Sequence, residues 1–287
     1  SNHMPLSRAR YGLICNENGG IIDDAIVYKL SNEKFLLIPN AANLLKVFDW
    51  LNWWIKANDL SVTISDETSN ITMLAVQGPF AIKAVEQAIN VDLSTLKSFA
   101  IMETIFSNSP LMIARTGYTG EDGVEIMAYS SKTEQIWSNL ISSGVIPCGL
   151  GARDVLRLEA GLLLHGQDMD ESINPIEAGL GKFVDFTKDF CGHHAMQNKN
   201  QEPLKTLIGF ITDGRNLIPR AHANILQNDE IIGTVTSGGF SPTLDTNIGL
   251  GYVQNKEIKN ESKITIDVRG RSIDARVVEL PFYRKVK

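Results

Sequence analysis

Six short runs decide how the last third of the chain folds: LIGFI (Leu207–Ile211), ANIL (Ala223–Leu226), IIGTVT (Ile231–Thr236), IGLGYV (Ile248–Val253), ITIDV (Ile264–Val268) and ARVVEL (Ala275–Leu280). They are short, largely apolar and rich in β-branched residues, and Asn228-Asp229 and Gly270 mark turns between them. No convincing helix interrupts them. Six short strands with regular turn signals predict a small all-β barrel or sandwich. The polar, proline-bearing stretch QNKNQEPLK (residues 197–205) precedes them, and the change of character there sets a domain boundary near residue 203.

Upstream the pattern is mixed. Tyr11–Cys15 and Ile21–Tyr28 read as a hairpin around the turn-rich Asn16–Gly20, and KFLLIP (residues 34–39) as a further strand. Leu44, Val47, Phe48, Leu51 and Ile55 recur at helical steps. Val62–Ile64, Ile71–Val76, Leu111–Arg115 and Val124–Ala128 read as strands. Helices are expected from Pro79 to about Ala88, after the capping-box pattern Ser131-Lys132-Thr133-Glu134 as far as Gly144, and over Ala152–Leu163. The expected architecture is therefore α+β: a mixed region over residues 5–203, then a small all-β barrel over 204–287. Ser1-Asn2-His3-Met4 reads as an expression-tag remnant and stands apart from both.

Composition excludes several classes. The 287 residues are 43% hydrophobic and 21% charged, which rules out a disordered or fibrous chain. With 27 basic and 33 acidic side chains the net charge is −6, which argues against general nucleic-acid or membrane-surface binding. No apolar run approaches the roughly 18 residues of a membrane helix. Cys15, Cys148 and Cys191 are scattered and odd in number, which points to a reducing compartment and away from a disulfide framework. His193 and His194 are adjacent, and no metal-ligand spacing surrounds them, so no metal site is expected. Gly149-Leu150-Gly151 lacks the third glycine of a dinucleotide fingerprint and reads better as a helix entry.

Three polar clusters remain. In GGIIDDAIV (Gly19–Val27), Asp23 and Asp24 sit in a strand-like run, where alternation points them to opposite faces. A functional aspartate and a solvated edge carboxylate are equally consistent with that pattern. In RTGYTGEDGVEI (Arg115–Ile126), three glycines surround a tyrosine, and Glu125 points opposite to Val124 and Ile126. Pattern alone slightly favours a glycine-rich hairpin with an outward glutamate. In GARDVLRLEAG (Gly151–Gly161), Arg153, Asp154, Arg157 and Glu159 read as helix-surface charges. Arg153 is the exception, because the macrodipole disfavours a cation in the first turn.

Taken together, GYTGEDGVEI, CGLGARDVLRLEAGL and GQDMDE resemble the signatures of the aminomethyltransferase family, the T-protein of the glycine cleavage system. GGIIDD, IPNAAN (Ile38–Asn43), LAVQGP (Leu74–Pro79) and TSGGFSPTL (Thr236–Leu244) match in the same order. The resemblance implies a folate-binding α+β region followed by a β-barrel. It implies tetrahydrofolate as co-substrate, no metal, and a lipoyl carrier, the H-protein, as partner. The products would be 5,10-methylenetetrahydrofolate, ammonia and the dihydrolipoyl carrier. By position, Asp23 matches the catalytic aspartate and Glu125 the pterin-binding glutamate. Tyr11, Tyr118 and Asn40 match folate-pocket residues, and Arg153 an arginine of the active-site cavity with a catalytic and folate-binding role.

His165 stands where the family has tyrosine, and Lys182-Phe183 where it often has tryptophan. The family carries several dozen residues ahead of the Tyr11 strand that help wall the folate pocket. The expectation is therefore a chain truncated at its N-terminus, weakly active at best by itself. A bacterial-type cytoplasmic location goes with the family, without nucleic acid or membrane. Two alternatives are a folate-dependent demethylase of the same superfamily and a non-catalytic folate-binding relative. The second is disfavoured because LLLHGQDMDE lacks that subfamily's cysteine.

Overall fold

The computed structural model describes residues 4–199, 203–254 and 258–285. Ser1–His3 of the tag-like segment and residues 200–202 of the polar boundary stretch lie outside the described residues. The chain divides into two compact units, Ser1–Gly12 with Ala25–Gly149, and Leu13–Asp24 with Leu150–Lys287. The division passes through β1 (Arg8–Cys15) and β2 (Ile21–Lys29), so each strand contributes to both.

In the first unit, β2 pairs antiparallel with β3 (Phe35–Ile38), and the sheet order is β1-β2-β3. The helical stripe becomes α1 (Leu44–Ala57), of which Val47 is the buried member. Next come β4 (Ile71–Gln77), α2 (Ala81–Ile89), β5 (Ile101–Phe106), β6 (Ser109–Ala114), β7 (Gly123–Tyr129) and α3 (Thr133–Ser142). The four strands form a sheet of order β4-β7-β6-β5. β7 is an inner strand, and both of its faces are covered. Val124, Ile126 and Ala128 pack with Val85 and Ile89 of α2 and Ile136 and Leu140 of α3. Met127, on the opposite face, packs with Tyr28, Ile101 and Ala114. Each fully buried aliphatic chain here contributes about 1.5–3 kcal/mol.

Three local expectations fail in this unit. Residues 62–64 form no strand, while β5 was not anticipated. The capping box is not formed either: a 3-10 turn over Ser130–Lys132 leads into α3, whose cap residue Lys132 makes no side-chain cap bond.

The second unit holds α4 (Leu150–Glu159), α5 (His193–Lys199) and six strands. The strands are β8 (Thr206–Thr212), β9 (Asn224–Gln227), β10 (Glu230–Ser241), β11 (Thr246–Val253), β12 (Lys263–Val268) and β13 (Arg271–Val278). They close into a barrel of order β10-β11-β8-β13-β12-β9, as the six runs predict. Alternate residues fill its interior, among them Phe210, Ile225, Val235, Ile266 and Val277. Ile248, Leu250 and Tyr252 of β11 turn the other way and pack with Leu158, Leu163 and Met169. α4 ends four residues earlier than expected, because Gly161 turns the chain with φ +64°. α5 is a further helix that the sequence reading did not include. β10 carries a bulge between Val235 and Ser237, which re-aims its next side chains.

Candidate active site

Glu125 sits at the centre of β7 with 9% of its surface exposed, so it is an inward carboxylate and not the outward hairpin residue favoured by pattern. It faces opposite to Val124 and Ile126, as alternation requires. Its cross-strand neighbours are Ala75 on β4 and Ala114 on β6, whose small side chains leave room beside the carboxylate. Burying a carboxylate is costly unless donors meet it. Thr116 Oγ1 donates to Glu125 Oε2 at 2.5 Å, and the Tyr28 hydroxyl lies 3.4 Å from the same oxygen and 3.0 Å from Thr116 Oγ1. Burial raises the Tyr28 pKa first of all, and the Glu125 charge adds to this, so Tyr28 remains a phenol and a donor.

The glycine-rich loop between β6 and β7 is tied at both ends. Arg115 forks onto Asp122 with contacts of 3.0 and 2.6 Å and donates to the Leu96 carbonyl at 2.7 Å. The hydrogen bond to Asp122 raises the arginine pKa above its ordinary value. Gln77, at the end of β4, donates to the carbonyls of Thr116 and Val124 and accepts from Thr119 Oγ1 at 3.1 Å. A Cβ on Gly117 would lie 1.9 Å from Gln77 Oε1, so a side chain there would displace the Gln77 amide from these bonds. The gain for function is a Tyr118 held on a fixed loop with part of its surface open. Tyr11 on β1 and Asn40 after β3 are likewise partly open. Tyr11, Asn40, Tyr118 and Glu125 all belong to the first unit.

Asp23 and Arg153 belong to the second. On β2, Asp23 is 0% exposed, whereas Asp24 keeps part of its surface. The Asp23 side chain is thus wholly buried, and that of Asp24 half-buried. The turn that sets this strand is tightly packed. Asn16 Oδ1 takes the N–H groups of Asn18 and Gly20, and a Cβ on Gly20 would meet the Glu171 carbonyl oxygen at 1.8 Å.

Arg153 is exposed on the first turns of α4, and the same helix buries two charges that the sequence reading placed on its surface. Arg157 is 1% exposed and donates to Asp168 at 2.6 Å, to Ser237 at 2.9 Å and to Asp154. The bulge in β10 lets both Thr236 Oγ1 (2.6 Å) and Ser237 Oγ (2.7 Å) donate to the second oxygen of Asp168. Glu159 accepts from Ser241, from Thr243 N–H and from Thr243 Oγ1. The conspicuous segments RDVLRLEAG, GQDMDE and TSGGFSPTL are thus one packing unit of buried ions and hydroxyls. The signal that could have shown this is the concentration of serine and threonine in TSGGFSPT, which supplies donors for Asp168 and Glu159. His165 keeps a polar contact of its own, its Nε2 lying 3.0 Å from the Ile21 carbonyl oxygen. A cavity of about 320 Å³ near Gln167, Asp170, Lys205, Tyr252 and Gln254 is lined by none of the expected site residues. Among the described residues, no three His, Cys, Asp or Glu side chains are grouped to hold a metal ion, and no helix is long and apolar enough to cross a membrane.

Comparison with known proteins gives a consistent result. Residues 1–188 match the GCVT N-terminal domain and residues 205–284 the glycine cleavage T-protein C-terminal barrel domain. An aminomethyltransferase of Picosynechococcus sp. is 43% identical over 284 residues, covering 98% of this chain and 77% of that protein. One from Anoxybacillus flavithermus is 40% identical over 288 residues, with coverage of 98% and 78%. The crystal structure of the glycine cleavage system aminomethyltransferase T from Bartonella henselae superposes with a TM-score of 0.90 at 32% identity, covering all of this chain and 79% of that one. On the strength of both domain matches and these relatives, the chain belongs to the glycine cleavage T-protein, or aminomethyltransferase, family.

Proposed function

We propose that the protein transfers the one-carbon unit of an aminomethyl group, carried on a lipoyl arm, to tetrahydrofolate. The observation that supports this best is Glu125: a buried, hydroxyl-braced carboxylate flanked by two alanines, at the family's pterin position. A carboxylate accepts two parallel N–H bonds from the pterin ring and its exocyclic amine. Tyr118, Tyr11 and Asn40 are assigned to the same folate. In the reaction, N5 and N10 of the folate each form a bond to the methylene carbon as its bonds to sulfur and to the amine break, and the two folate N–H protons leave on the dihydrolipoyl thiol and on the ammonia.

The carbon becomes iminium-like as ammonia leaves, and a nearby carboxylate stabilises it. The resemblance gives that task to Asp23. Its complete burial on β2 would place that charge in a dry setting, where it acts most strongly on a developing cation. Arg153, an exposed cation, suits the anionic tail of the folate. The lipoyl carrier H-protein is the proposed partner. Calorimetry with 5-formyltetrahydrofolate tests the folate reading. Glu125→Ala is expected to weaken binding by about 2–4 kcal/mol, and unchanged affinity would remove Glu125 from the pocket.

A further inference from the structure

We propose that Thr116 and Tyr28 are positioning residues that aim the Glu125 carboxylate at its ligand through a chain of hydroxyl hydrogen bonds. This rests on reading Glu125 as the pterin-binding carboxylate. Each hydroxyl has one proton to give. The 2.5 Å contact commits the Thr116 proton to Glu125 Oε2. Thr116 Oγ1 is then an acceptor, and the Tyr28 hydroxyl at 3.0 Å is closer to it than to Oε2 at 3.4 Å. The consistent arrangement runs from the Tyr28 O–H to Thr116 Oγ1 and from the Thr116 O–H to Glu125 Oε2. Hydrogen bonds in series polarise and strengthen one another.

Both hydroxyl contacts fall on Oε2. A glutamate's last torsion is otherwise broad and roughly two-fold, so a bond to one oxygen fixes the carboxylate plane and which oxygen faces the ligand. The far end of the chain is rigid: Tyr28 is 0% exposed, and its ring is packed with Ile101, Ala114 and Met127. Thr116 is 5% exposed, so water does not compete for its proton. Three separate elements, β2, the β6–β7 loop and β7, thereby set one rotamer. Such preorganisation favours affinity for a ligand that needs two parallel bonds.

The test uses Thr116→Val, which keeps shape and removes the hydroxyl, and Tyr28→Phe, which keeps the ring. One readout needs no folate: the infrared carboxylate band of Glu125, assigned by its loss in Glu125→Gln. The other is affinity for 5-formyltetrahydrofolate, measured also in the Glu125→Gln background. Thr116→Val is expected to shift the band and weaken binding about tenfold, and Tyr28→Phe about threefold. Thr116→Ser should restore both readouts. In the Glu125→Gln background the two changes should have less than about a twofold effect. An unmoved band, or losses that simply multiply in that background, would overturn the proposal. If Glu125→Gln bound folate as tightly as the parent, the pterin reading would fail, while the band would still decide the hydroxyl chain.

Discussion

Arg157 and Asp168 form an ion pair at 2.6 Å in which the side chains are 1% and 0% exposed. The remaining capacity of the aspartate is met by Thr236 and Ser237, so neither ion is left without partners. Removing one partner strands the other charge in the interior. Arg157→Met should cost about 3–5 kcal/mol in urea unfolding, and adding Asp168→Asn should recover part of the loss. A loss below about 1 kcal/mol for Arg157→Met would show that water reaches the pair.

Gly20 is constrained by space and not by a left-handed backbone. A methyl group there meets the Glu171 carbonyl oxygen at 1.8 Å, and a backbone atom cannot swing aside as a side-chain end can. Gly20→Ala should lower stability by about 1–3 kcal/mol or more. Gly151 has nothing within 4 Å of its would-be Cβ and lies within α4, so Gly151→Ala is the control, neutral or stabilising by up to about 1 kcal/mol. Thermal unfolding of the two variants separates these outcomes.

Cys15 provides a pH prediction. Burial above all, with a smaller effect of Cys191, pushes its thiol from the ordinary 9.0 up to about 12. The unfolded chain therefore releases this proton near pH 9, while the folded chain holds it. The contribution to stability is complete below pH 9 and falls as pH rises towards 12. Tyr28 and Tyr252 act in the same sense from their ordinary value of 10.0 upward. Between pH 9 and 10 the loss should be smaller in Cys15→Ala than in the parent. At neutral pH, exposed Cys148 should react with a thiol reagent well before Cys15.

The two adjacent aspartates should separate by phenotype. Asp23→Asn is expected to reduce turnover far more than it weakens folate affinity, because it removes charge and keeps shape. Asp23→Asn should lower the unfolding midpoint more than Asp24→Asn does, since the Asp23 side chain is sealed in the interior. Steady-state kinetics and urea melts on the same two variants check this. If Asp24→Asn lowers turnover more than Asp23→Asn does, the catalytic carboxylate is Asp24.

The barrel was legible because each of its strands reads locally. Runs such as IIGTVT and ITIDV need only alternation and a turn to be recognised, and all six appear as β8 to β13. β5 was missed because IMETIF mixes Glu103 and Thr104 into a short apolar run, and its identity is settled by pairing with β6. Residues 62–64 show the reverse: VTI has strand-like composition but gains no partner strand. The motifs located the clusters but not the burial of their charges. Arg157 and Glu159 look like helix-surface residues until Asp168, Ser241 and Thr243, distant in sequence, meet them. For Glu125, alternation gave the direction, but inward or outward depended on β7 lying between β4 and β6.

The most direct test of the account is a single-turnover assay with an aminomethyl-loaded lipoyl carrier and tetrahydrofolate, following ammonia and 5,10-methylenetetrahydrofolate together. The account predicts that the two products form one for one, only when tetrahydrofolate is present, and that Glu125→Ala abolishes both at limiting folate. Ammonia released at the same rate with and without tetrahydrofolate, with no carbon appearing on the folate, would contradict it.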